Sequence, residues 1–127
     1  MTRDEVYAMP DGELRIKAAE IMGWTDIRII GLNKTPHGRP PGRDEGTEWV
    51  VPCWQRYIAM AWTLVEKAKE FGFSAEISSF RSGVRDMAQC VFKRSDVDWV
   101  AEDTSFEKAS PARAITRAFI MAMTEED

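Results

Sequence analysis

Cysteine and histidine are scarce in this chain of 127 residues: there are two cysteines, Cys53 and Cys90, and one histidine, His37. Two thiols do not build a disulfide scaffold, and with a single imidazole they supply no recognised zinc-ligand spacing. Both thiols sit among apolar neighbours, so a reducing cytoplasm is the expected compartment, with no metal and no cofactor. Long apolar runs are missing too. None approaches the roughly 20 residues of a membrane-crossing helix, and Met1-Thr2-Arg3-Asp4-Glu5 lacks the apolar core of a signal peptide. Positive charge is in deficit: 17 Lys and Arg stand against 21 Asp and Glu, a net charge of −4. General nucleic-acid binding needs a basic footprint, so neither nucleic acid nor membrane is an expected partner.

What is present is an ordinary globular composition, 44% hydrophobic and 30% charged. This length suits one domain over residues 1–127, which would bury roughly two-thirds of its unfolded surface. Five tryptophans are many for the length, and large aromatics fill cores and interfaces first.

Local patterns divide the chain into elements. Thr2 and Glu5 have capping-box spacing, predicting a short helix from Arg3 to Met9. Asp11 can cap a second helix through Met22, where Gly23 provides a left-handed stop. Trp24 to Ile30 reads as a strand. After Pro52, the residues Trp54, Ile58, Ala61, Val65 and Ala68 recur at helical spacing until Gly72. Three strands are predicted next, Ala75 to Phe80, Met87 to Lys93 and Val97 to Glu102, with short turns that imply an antiparallel meander. Met87, Ala88, Cys90, Val91 and Phe92 are apolar on both faces. That strand belongs inside a sheet covered on both sides, or with one face at an interface. Ser110-Pro111 opens the last helix, with Ala114, Ile115, Ala118, Phe119 and Met121 on its buried face. The expected fold is α+β: an α-β-α sandwich with an antiparallel sheet of about four strands and helices on its faces.

The segment 33–48 is predicted to be an irregular loop, rich in proline and glycine with almost no apolar residue. Its first part is basic within an acidic protein. Lys34, Arg39 and Arg43 could hold phosphates or carboxylates, with His37 among them. Prolines limit its freedom, so ordering it on a partner loses less entropy. Trp54, with Trp62 and Trp99, marks a contact surface if exposed, and a homodimer through such a patch is one expectation. Catalytic signatures are missing. His37 could serve as base to Cys53, if that thiol lies at a helix N-terminus and the loop folds back onto it. Asp96, Asp98, Glu102 and Asp103 could gather round a hard cation but read more simply as a solvated edge. Arg113 and Arg117 read as helix surface, pairing with Glu107 or with the acidic strand, and Glu125-Glu126-Asp127 reads as a solvated tail.

Three segments together resemble a known family. They are Ala19-Glu20-Ile21-Met22-Gly23-Trp24, Val51-Pro52 leading into the Ala61-Trp62 helix, and Ser110-Pro111-Ala112-Arg113-Ala114-Ile115-Thr116-Arg117-Ala118. In this order and spacing they look like the phage ABA sandwich domain, a family of small phage and prophage proteins. The resemblance implies a viral or prophage origin and α-β-α layering, and it carries no catalytic residue over. Where relatives have a Ser/Thr-Asp type helix cap after Pro52, this chain has Cys53-Trp54-Gln55-Arg56. The leading expectation is a non-enzymatic phage accessory protein in the cytoplasm of a bacterial host. It would bind a host protein or a small, anionic, nucleotide-like ligand, and host-defence antagonism is one version. A small hydrolase or transferase, or a structural protein of the virion, is the alternative.

Overall fold

Thr2 and Glu5 do close a capping box. The Thr2 hydroxyl accepts from Glu5 N–H and the Glu5 carboxylate from Thr2 N–H, which starts α1 (Arg3–Ala8). The computed structural model describes residues 1–105 and 109–124, apart from the side chain of Ser105. Glu107 and the acidic tail, whose roles were expected above, lie outside the described residues. Helix α2 (Asp11–Ile21) takes Pro10, not Asp11, at its N-cap. The Asp11 carboxylate is instead engaged by Arg113. The C-terminal stop falls where expected. Trp24 N–H donates to Ala19 O and Gly23 N–H to Glu20 O, with Gly23 at φ 99°, which is a Schellman motif.

The α+β class holds, but the strands form two antiparallel three-stranded sheets rather than one of about four. The smaller joins β1 (Thr25–Ile30), β2 (Thr35–Arg39) and β3 (Trp49–Val50) in the order β1-β2-β3. Residues 33–48 are therefore not wholly irregular, since β2 lies inside them. Helix α3 (Ile58–Glu70) starts one turn later than the apolar spacing predicts. Residues 54–56 form a turn instead, in which Arg56 N–H and Tyr57 N–H donate to Cys53 O. The larger sheet joins β4 (Ser74–Ser82), β5 (Arg85–Arg94) and β6 (Val97–Ser105) as the expected meander.

Helix α4 (Pro111–Met123) forms the centre of the molecule. Ser110 Oγ accepts from Arg113 N–H at 3.1 Å, and Pro111 needs no partner for a missing N–H, so the start is well capped. The helix is buried far beyond the single face that its periodicity suggests: Ala112, Thr116, Ile120 and Ala122 are buried as well. It lies against all three strands of the larger sheet, with α1, α2 and α3 also packed on it. Ala88, Cys90 and Phe92 of β5 face this core, together with Trp99 and Ala101 of β6. Phe73 meets Phe92 and Trp99 edge to face there, with the Arg94 guanidinium 4.6 Å from the Phe73 ring centre. Met87 and Val91, on the opposite face of β5, are half-buried. No helix among the described residues is long and apolar enough to cross a membrane.

Candidate binding surface

The small sheet begins with a distortion. Thr25 pairs with Arg39 and Arg28 with His37, so Asp26 and Ile27 together oppose Gly38 in a β-bulge. Asp26 takes a left-handed φ of 53° there. The Ile27 side chain lies across Gly38, and a Cβ on Gly38 would stand 3.0 Å from Ile27 Cγ1 and 3.0 Å from Thr25 O. Only glycine fits at that crossing. β1 then turns into β2 through residues 31–34, closed by Lys34 N–H donating to Gly31 O. Leu32 projects from the tip, fully exposed.

Alternation along β2 puts Thr35, His37 and Arg39 on one face and Pro36 and Gly38, both buried, on the other. The first face gathers Arg28 and Ile30 from β1 and Val50 from β3 beside His37. Its polar groups are held in place. Arg39 Nε donates to Thr25 Oγ1 at 3.0 Å, Arg28 Nη2 reaches Glu48 Oε1 at 3.1 Å, and His37 Nδ1 donates to Thr35 O at 3.1 Å. At the far edge Trp49 is 48% exposed, and the Arg43 guanidinium stacks 4.6 Å above its ring centre. A cleft of about 420 Å³ opens between β1, β2 and the 46–48 segment, and its charged lining is Asp26, Arg28, Arg39 and Glu48.

Of the five residues singled out from sequence, His37 and Arg39 lie on β2, Lys34 ends the β1–β2 turn, and Arg43, in the β2–β3 connection, reaches the sheet through Trp49. Trp54 is not part of it. It is only 3% exposed, its Nε1–H donates to Arg15 O at 3.1 Å, and it is a core residue rather than a contact residue. Arg15 in turn donates through Nε and Nη2 to Val51 O, which ties α2 to the residue that follows β3. Sequence reasoning missed Trp49 and Arg28. Trp49-Val50-Val51 reads in sequence as a short apolar run that fits a strand, but Arg28 meets His37 and Glu48 only through the pairing of three strands.

The basic character of segment 34–43 is compensated in space. Two carboxylates and two guanidiniums line the cleft, so it offers no net positive field. Cys53 lies five residues before α3 begins, not at that helix's N-terminus as the thiol reading required. Burial pushes the Cys90 thiol up to about 12, so it stays protonated and unreactive near neutral pH. Among the described residues no group of three or more His, Cys, Asp and Glu is placed to hold a metal ion. Asp103 is buried and taken up by the expected arginines, with Arg113 Nη1 and Arg117 Nη1 each 3.4 Å from its Oδ1. Compared with known proteins, the chain matches no family model, and no curated protein matches it.

Proposed function

We propose that this chain is a non-enzymatic binding protein whose contact surface is the projecting β1-β2-β3 sheet, and that its partner is another protein. The observation that carries this is the exposure of large apolar groups over one small sheet: Ile30 and Val50 on its His37 face with Arg28 and Arg39, Ile29 and Trp49 on its other face with Arg43 stacked on Trp49, and Leu32 at its tip. Aromatic and arginine side chains around exposed aliphatics match the composition of interface centres. The arginines are already oriented by Glu48, Thr25 and Trp49, so docking immobilises few free rotamers. A mixed-charge cleft suits a protein surface with both acids and bases better than a small anion.

The resemblance to the phage ABA sandwich domain supplies the biological setting of this reading. It suggests a phage or prophage accessory protein acting on a host protein in the bacterial cytoplasm, with host-defence antagonism as one form. Affinity capture from bacterial lysate tests it. Deleting residues 34–43 would remove β2 itself, so point substitutions are the better probe. Leu32→Asp combined with Trp49→Ala should lower recovery of the captured protein by about 30-fold, the loss of one ~2 kcal/mol hot spot. Phe71→Ala, an exposed aromatic on the C-cap of α3, should leave it unchanged. Equal recovery with the sheet variant would overturn the reading.

A further inference from the structure

The larger sheet protects one of its edges and leaves the other open. At the β6 edge, Glu102 N–H donates to Tyr7 Oη at 2.6 Å and Glu102 O accepts from Arg117 Nη1 at 2.8 Å, so α1 and α4 close it. The β4 edge has no such cover among the described residues. Ser78, Ser79, Phe80, Arg81 and Ser82 are all exposed. The register of β4 runs unbroken from Ser74–Lys93 to Ser82–Arg85, without a bulge, and the strand contains neither proline nor lysine. Natural sheets use those devices to prevent edge pairing, and this edge has none of them.

We propose that β4 pairs antiparallel with β4 of a second copy of this chain about a two-fold axis at Ser79, giving a continuous six-stranded sheet. The main-chain groups available follow from the turns. Ser82–Arg85 and Arg94–Val97 each close a two-residue hairpin, and a closing pair exchanges both of its hydrogen bonds. Even-numbered residues of β4 are thereby bonded to β5, and odd-numbered ones face outward. The same count on β6 sends Glu102 outward, where Tyr7 and Arg117 meet it. Centring on Ser79 pairs Ser79 with Ser79 and Ile77 with Arg81 through these outward groups.

Charge and side chains favour a second copy over an unrelated strand. Glu76, 3.7 Å from Lys93 of β5, lies toward one end of β4, and Arg81, opposite Asp86, lies toward the other on the opposite face, so antiparallel pairing brings unlike charges near one another without like charges meeting directly. This register puts Glu76 opposite Ser82, whose neighbour on β5 is Arg85, on the same face. It also places the two exposed Phe80 rings on a cross-strand diagonal, within aromatic reach. A two-fold pair uses both open edges and leaves none exposed.

Light scattering coupled to size-exclusion chromatography over a concentration series tests the pairing. The wild type should approach twice the 14.5 kDa chain mass. Ser79→Pro removes an outward N–H, which an edge strand tolerates, and should return the mass to that of one chain. Ser79→Lys provides a second variant that keeps the ladder and sets like charges against each other on the axis. It should give the same result with an unchanged circular dichroism spectrum. In a Cys53→Ser background, Ser79→Cys should cross-link to a covalent dimer on oxidation, whereas Ser78→Cys, one residue off the axis, should not. A wild type that stays monomeric overturns the proposal and leaves the edge to an extended segment of another protein. A dimer that survives Ser79→Lys, or equal cross-linking at both positions, overturns it too.

Discussion

At Gly38, conformational freedom is not the issue; space is. Ile27 and the Thr25 carbonyl both close on the position a Cβ would take, and the carbonyl belongs to the paired strand itself. Gly38→Ala should therefore push β1 away from β2, at a local cost of about 1–3 kcal/mol. Hydrogen exchange should report it as faster exchange at β1 and β2 amides, with β5 amides unchanged, because the small sheet does not underlie the main core. Single residues also mark where a sequence misleads. Trp54 and Ile58 are four apart and look like one helical stripe. Trp54 in fact turns into the core to reach Arg15 O, and α3 waits until Ile58. Two indoles are exposed: Trp62 on α3, whose exposure meets the condition set for it from sequence, and Trp49, which no helical spacing singles out.

Among the elements, those set by neighbouring residues were legible: the Thr2–Glu5 box, the Gly23 stop, the Ser110–Pro111 start and the β4-β5-β6 meander. Strand β2 was not, for a physical reason. Its buried positions are Pro36 and Gly38, so its inward face carries no apolar signature and its composition reads as loop. The candidate site shares that limit. Lys34, His37, Arg39 and Arg43 are close in sequence and could be grouped, while Arg28, Glu48 and Trp49 join them only once three strands pair. The Ser110 cap gives the element-scale prediction. Its hydroxyl satisfies Arg113 N–H at the start of the most buried helix, and it also donates to Gln55 O at 3.3 Å. Ser110→Ala should lower stability by about 1 kcal/mol, seen as a shifted urea midpoint with an unchanged slope.

Across the whole molecule, one polar cluster ties together elements that the hydrophobic core alone would leave free to slide. Asp103 of β6 accepts from Ser110 N–H at 2.7 Å and faces both Arg113 and Arg117 of α4. Arg113 carries the link on to Asp11 at the start of α2, and those hydrogen bonds raise its own pKa. Arg117 stacks 4.6 Å from the Tyr7 ring centre of α1, whose hydroxyl holds β6. The two carboxylates are not equivalent. Asp103 is buried, and without it the Arg117 guanidinium, whose side chain is 16% exposed, would be left as a nearly uncompensated inner charge. Asp11 is more than half exposed, where solvent screens the pair and can replace its contacts. Asp103→Ala should thus cost about 3–5 kcal/mol, whereas Asp11→Ala should cost roughly 1 kcal/mol or less. Urea unfolding of the two variants side by side separates the possibilities: equal losses would mean that the cluster acts as a set of independent surface pairs, and a large loss confined to Asp103→Ala would mark it as the joint between β6 and α4.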